Sequence, residues 1–197
     1  MTLPDNSLAS HGVASRSLRD DLLVWVDLEM TGLDPATCVI VEIATLITDG
    51  DLNLVAEGPE LVIHASETEL LRMDPVVVEM HAKSGLTERI AASTLTLAEA
   101  EQQTLAFVSQ HCQKKSAPLC GNSVWKDKQF LEAYMPTLSA HLHYRMVDVS
   151  TIKELVRRWY PPTFAAPRKK ELHRAMDDIR ESIAELCHYR QRVFLVP

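Results

Sequence analysis

Leu22-Leu23-Val24-Trp25-Val26-Asp27-Leu28 is apolar at six of its seven positions, the composition of a strand buried on both faces. The residues that follow, Glu29-Met30 and then Thr31-Gly32-Leu33-Asp34-Pro35, lead it into a turn. Residues two apart on a strand face the same side, so Asp27 and Glu29 project together about 7 Å apart along the chain, a gap their side chains can close. Carboxylates so placed can bridge two divalent ions about 4 Å apart, which clamp the attacking and leaving oxygens of a phosphoryl transfer. Taken alone, the pair is better explained as two acids at a strand end in water, because uncompensated buried charge is costly.

Working outward, Val39 to Thr48 reads as a second strand, and a third falls between Leu52 and His64 after the Asp49-Gly50-Asp51 turn, giving a hairpin-connected meander. Helices then take over. Three S/T-x-x-E patterns mark helix starts: Ser66 with Glu69, Thr96 with Glu99, and Thr151 with Glu154. A short strand at Pro118 to Gly121 precedes a helix from about Ser123 to Met135 and a strand from Tyr144 to Val149. Met176, Ile179, Ile183 and Leu186 form one apolar stripe on a terminal helix. Strands first, then alternating helices and strands, predict an α/β domain with a mixed central sheet flanked by helices.

The bulk properties set limits. A chain of 197 residues, 46% apolar, suits a single domain with a sizeable core. Residues 1–20 lack apolar periodicity and read as a flexible extension, leaving 21–197 as the domain. A net charge of −7 argues against coating long nucleic acid through a broad basic surface. Cys38, Cys112, Cys120 and Cys187 show no C-x-x-C spacing and no secretory leader precedes them, which fits reduced thiols in the cytoplasm. No apolar run reaches the roughly 18 residues of a membrane span. The loop Pro161-Pro162-Thr163-Phe164-Ala165-Ala166-Pro167-Arg168-Lys169-Lys170 is rich in proline, basic at its end, and placed as a lid or rim just before His173.

A two-metal site needs further oxygen ligands from other elements. Asp127 lies one turn into the helix near Ser123, and Asp178 lies in the first turns of the terminal helix. Each alone also fits an ordinary acid at a helix N-terminus, stabilised by the dipole. His173 precedes Asp178 by five positions, where a neutral imidazole could take a proton from water. Alone it fits a helix-capping or solvent-facing histidine equally.

Together, Asp27-Leu28-Glu29-Met30-Thr31-Gly32, Gly121-Asn122-Ser123 through Asp127, and His173-Arg174-Ala175-Met176-Asp177-Asp178 resemble the three motifs of the DEDDh exonuclease superfamily. From Leu22 onward the chain is similar to the oligoribonuclease family within it, through Asp34-Pro35, His143-Tyr144-Arg145, Asp148-Val149-Ser150-Thr151 and Asp178-Ile179-Arg180-Glu181-Ser182. Met30 stands where proofreading exonucleases carry threonine, which favours oligoribonuclease. The resemblance implies a ribonuclease-H-like exonuclease fold and 3′-to-5′ release of 5′-mononucleotides from very short RNAs. It also implies Mg2+ or Mn2+, two per site, held by Asp27, Glu29, Asp127 and Asp178, with His173 as general base. The H-x-x-x-x-D spacing selects Asp178 over the adjacent Asp177.

The same resemblance implies substrates of about two to five nucleotides, capped at the 5′ phosphate by Ser123, Ser150, Thr151 and Arg145, the first three near helix starts that favour an anion. Their residue types fit helix N-caps and a surface ion pair as well. Leu33 and His81 match base-pocket positions. Tyr144 matches a tyrosine that reaches across a homodimer, with Arg145 crossing beside it. Val76 replaces a family tryptophan, which puts stacking worth about 1–3 kcal/mol per base in doubt, and Trp125 is atypical and fits either compensation or packing. Two other functions stay open: a DNA-trimming or proofreading exonuclease, and a non-catalytic RNA-binding module of the same fold.

Overall fold

The computed structural model describes residues 21–167 and 174–194. The extension 1–20, the Arg168-Lys169-Lys170 part of the basic loop, and His173 lie outside the described residues.

Five strands form one sheet: β1 (Leu23–Met30), β2 (Ile40–Thr48), β3 (Leu54–Val62), β4 (Pro118–Gly121) and β5 (His143–Asp148), in the order β3-β2-β1-β4-β5. The first three make the antiparallel meander expected of two short turns, and β4 and β5 join in parallel through helical crossovers. The helices are α1 (Glu67–Leu70), α2 (Pro75–Ser84), α3 (Leu86–Ala92), α4 (Leu97–His111), α5 (Trp125–Tyr134), α6 (Pro136–His141), α7 (Val149–Trp159) and α8 (Ala175–Arg192), with a 3-10 turn at Pro162–Phe164. The mixed sheet flanked by helices is the predicted class.

Ser66 and Thr96 each close a reciprocal capping box with the glutamate three residues on, as their pattern predicts. The third S/T-x-x-E pattern is corrected by the structure. α7 begins at Val149, not after Thr151, because the Asp148 carboxylate accepts the Ser150 N–H and starts the helix three residues early. Glu154 instead pairs with Arg157 and Arg158 on the helix surface. At the junction of α2 and α3, Gly85 takes a left-handed conformation, φ +72°, that lets one helix end and the next begin.

Strand parity decides which face meets which helix. Val24, Val26 and Leu28 enter the core built with Ala100 and Val108 of α4, Phe130 and Leu131 of α5 and Leu138 of α6. Trp25 points the other way, into a core with Val156 of α7 and Met176, Ile179, Leu186 and Tyr189 of α8. Its indole N–H donates to Thr48 Oγ1 at 2.9 Å, satisfying a buried donor. Asp27 and Glu29 share the parity of Trp25 and so face α8. β2 lies between two strands and is buried at all nine positions.

Candidate active site

β1, β4 and β5 run parallel, and their carboxyl ends open on one edge of the sheet, where ligands of α/β folds bind. β1 brings Asp27 and Glu29 to this edge, β4 feeds Gly121-Asn122-Ser123, and β5 ends in Asp148-Val149-Ser150. α8 starts over the face shared by Asp27 and Glu29, so Asp178, one turn in, meets them. Carboxylate oxygens of Asp27, Glu29 and Asp178 lie within 4.8 Å of one another, Glu29 buried and the other two half-buried.

Asp127 stands beside this trio. Its Oδ1 accepts the Leu28 backbone N–H at 3.1 Å, and the carboxylate is 7% exposed. The reason is visible in the register: β4 pairs with β1 only at Val24 and Trp25, so β1 runs on past its neighbour and α5 supplies the partner. Burial pushes the Asp127 carboxyl up to about 7, against the lowering effect of the Leu28 N–H and with Asp148 adding to the rise. Glu29 is pushed to about 8, first by burial and then by the charges of Asp178, Glu42 and Asp127, while Arg174 works in the opposite direction. Both rises are led by burial, with neighbouring carboxylates adding to them, and the oxygen ligands brought together here fit a hard divalent cation, which would favour the charged forms.

Glu42 faces Glu29 across the β1–β2 pair and is fully buried. It accepts from Arg89 Nη1 at 2.7 Å and from the Ala175 N–H at 3.3 Å, so a β2 carboxylate covers the start of α8. Glu60 joins Arg89 at 3.2 Å and Arg174 at 2.6 Å. These four residues lock β2 and β3 to α3 and to the residue that follows His173. His81 is wholly buried; its Nε2 meets the Met30 carbonyl at 3.0 Å and its Nδ1 lies 3.8 Å from Glu29. It therefore supports the end of β1 rather than lining an open recess. Leu33 and Val76 are exposed, and the Asp74 N–H donates to the Thr31 carbonyl, which brings the start of α2 to the turn bearing Leu33.

Ser123 is held at φ +52° with its N–H shared between Asp148 Oδ1 and Ser150 Oγ, both at 2.9 Å. Its hydroxyl lies 3.2 Å from that of Ser150, and Ser123, Ser150 and Thr151 line one open recess with Trp125, Leu155 and Arg158. The structure thus joins the three predicted hydroxyls. Tyr144 and Arg145 do not line that recess: both are exposed on edge strand β5, the guanidinium 5.4 Å from the tyrosine ring centre, and that strand lies two strands, or about 10 Å, from β1 with its carboxylates.

The exonuclease family model matches residues 24–186. Oligoribonuclease of Pseudomonas aeruginosa is 54% identical over 168 residues, spanning 85% of this chain and 93% of the relative. That of Corynebacterium glutamicum is 55% identical over 179 residues, spanning 90% and 82% respectively. The chain belongs to the oligoribonuclease family. As an oligoribonuclease-family exonuclease it is a phosphodiester hydrolase. Its fold is also that of exonuclease I from Methylocaldum szegediense, at TM-score 0.65 and 20% identity over 87% of this chain. Escherichia coli exonuclease I, in the metal-free form of its complex with single-stranded DNA, gives TM-score 0.67 at 16% identity over 88% of the chain. The oligoribonuclease-family chain spans about two fifths of the length of those two structures.

Sequence reasoning found the trio and the hydroxyls and placed Asn122 in a motif without giving it a role, but missed Glu42, Arg89 and Glu60. Partners of all four lie from 28 to 133 residues away in the chain, and no local pattern marks those pairings.

Proposed function

We propose that the protein removes 5′-mononucleotides from the 3′ ends of very short RNAs, dinucleotides especially. The meeting of Asp27, Glu29 and Asp178 within 4.8 Å beside a ledge of hydroxyls carries this reading. Asp27, Glu29, Asp127 and Asp178 would hold two Mg2+ or Mn2+ ions, which supply charge to the scissile phosphate and acidity to the attacking water. His173, by its place five residues before Asp178, accepts the proton of that water. The water oxygen forms the new bond to phosphorus, the bond from phosphorus to the 3′ oxygen breaks, and that oxygen takes up a proton as it leaves. Asp127, carried on α5 and fixed on the Leu28 N–H, ties that helix to the end of β1 beside the trio.

At the other end, Ser123, Ser150 and Thr151 receive the 5′ phosphate at the starts of α5 and α7. The recess is open in one copy, and closed over that phosphate by Arg145 of a second copy it would disfavour longer strands, since a further nucleotide would have no room to leave it. Leu33 sits against a base, with His81 behind it. Tyr144 and Arg145 reach the site from a second copy of the chain, because on their own sheet they stand two strands away from β1. Exposed Tyr144, Met146, Trp125, Leu155 and Trp159 give that copy an apolar face to cover. Sedimentation should show a dimer; an active monomer would remove the shared site. Among the described residues no helix is long and apolar enough to cross a membrane, and we place the protein in the cytoplasm.

The test is incubation of the protein with a 5′-phosphorylated RNA dinucleotide and Mg2+ or Mn2+, repeated in chelator. Mononucleotide should form only with metal, and none in either sample would sink the proposal. Rates on RNAs and DNAs of two to seven nucleotides then separate it from DNA trimming, because a closed ledge loses rate steeply with length.

A further inference from the structure

Between the hydroxyl ledge and α8 runs a chain of hydrogen bonds that the mechanism above does not use. The Ser150 hydroxyl donates to Asn122 Oδ1 at 3.1 Å. On its other side the Asn122 amide donates to Ser182 Oγ at 2.8 Å and to Glu185 Oε2 at 3.2 Å. Ser182 Oγ in turn donates to the backbone carbonyl of Asp178 at 2.7 Å. Glu185 also accepts from Tyr189 at 3.1 Å and lies 3.4 Å from Lys153 of α7. Ser182 and Glu185 are both buried, at 2% and 5% exposure.

An asparagine side chain has one accepting oxygen and two donating hydrogens, and here each end is committed to a different element. Asn122 follows β4 directly, so its backbone is tied to the sheet while its amide touches α8 and its carbonyl touches the start of α7. We propose that Asn122 is a positioning residue that couples capture of the substrate's 5′ phosphate at Ser150 to the placement of Asp178. When a phosphate oxygen accepts from the Ser150 hydroxyl, the bond from Ser150 to Asn122 is given up or shared. The side chain is then held by the bonds its amide already makes to Ser182 and Glu185, without the opposing pull of Ser150, and its hold on the helical turn that carries Asp178 tightens. A dinucleotide with a 5′ phosphate thus completes the catalytic geometry at the far end of the molecule, and one with a 5′ hydroxyl does not. This rests on the reading of Ser123, Ser150 and Thr151 as the phosphate ledge.

The experiment compares kcat and KM for the 5′-phosphorylated and 5′-hydroxyl forms of one RNA dinucleotide, in the parent protein and in Ser150→Ala, Asn122→Ala and the double variant. The quantity read is the ratio of kcat values, phosphorylated over hydroxyl. Asn122→Ala should lower that ratio roughly 10-fold, within the range of coupling between groups in one network. The double variant should show the same ratio as Ser150→Ala alone. A residue that merely supports the fold would lower both substrates equally, and that outcome overturns the proposal, as does a double variant in which the two losses multiply. If Ser150→Ala leaves the preference for a 5′ phosphate intact, the ledge reading itself fails and takes the coupling with it. Ser182→Ala, a smaller change in α8, carries the same comparison should Asn122→Ala not fold, and full phosphate preference in it counts against the coupling.

Discussion

Glu29→Gln should make the metal-free protein more stable while destroying its ability to be stabilised by metal. The Glu29 carboxyl sits at about 8 in the folded chain against an ordinary value of 4.5. Between those values the native state holds a proton that the unfolded chain has released, so stability falls as pH rises through the window. The penalty is absent below about pH 4.5, grows up to about pH 8, and is constant beyond it. Each pH step within the window costs about 1.4 kcal/mol, so the penalty at pH 7 is about 3 kcal/mol. Glutamine keeps the shape, carries no charge, and offers an amide to Asp27 and Asp178. A domain of this size gains roughly 2–4 °C in Tm per kcal/mol, so the variant should melt about 6–12 °C above the parent at pH 7 in chelator. At pH 5 the two should nearly coincide. With Mn2+ at about a thousand times its Kd the order should reverse, since a ligand that binds only the folded parent then adds about 4 kcal/mol, more than the penalty. Scanning calorimetry at pH 5, 6, 7 and 8, with and without metal, makes the measurement. A variant that melts at or below the parent in chelator at pH 7, or a difference that does not widen with pH, refutes the charge argument.

Asp178→Asn should cut turnover by more than about 100-fold with circular dichroism unchanged, because it removes the charge of one of the four proposed metal ligands; retained turnover contradicts the assignment. Tyr144→Phe deletes only a hydroxyl on an exposed edge, yet should lower kcat roughly 100-fold if it donates to the reacting phosphate from a second copy. Thr96→Ala opens the capping box of α4 and should cost about 1 kcal/mol, read as a shifted denaturant midpoint with an unchanged slope. Gly58→Ala would place a Cβ 2.5 Å from the Phe107 ring and 2.9 Å from the Thr45 carbonyl, and should destabilise by about 1–3 kcal/mol.

The sheet was legible where short-range chemistry decides it. Alternation, turn residues and apolar runs gave β4 its observed ends and the other strands theirs to within two residues. The parity of Asp27 and Glu29 was equally readable, since it needs only the period of a strand. Asp127 was found as an acid on a helix, but not its bond to Leu28. That bond exists because β1 outlasts β4, a fact of register between segments about a hundred residues apart. His81 was placed at a base pocket by family resemblance alone; its contacts with the Met30 carbonyl and Glu29 depend on how α2 docks, which no local pattern gives. Thr151 lost its helix start to Asp148, whose carboxylate accepts the Ser150 N–H and so begins the helix directly after the strand, before Thr151 is reached.

The complete burial of β2 bears on how this molecule fails. Ile40 to Thr48 is a nine-residue run with one charge, no proline and no glycine, rich in β-branched residues. Such a run is a template for intermolecular pairing whenever a neighbour peels away. Its shield on one side is β3, an edge strand interrupted by Gly58-Pro59 and studded with Glu57 and Glu60, features that stop sheets from joining edge to edge. Loss of β3 alone would therefore uncover the most adhesive segment of the chain while α8 still held its place, and refolding yield should depend more on that hairpin than on any helix.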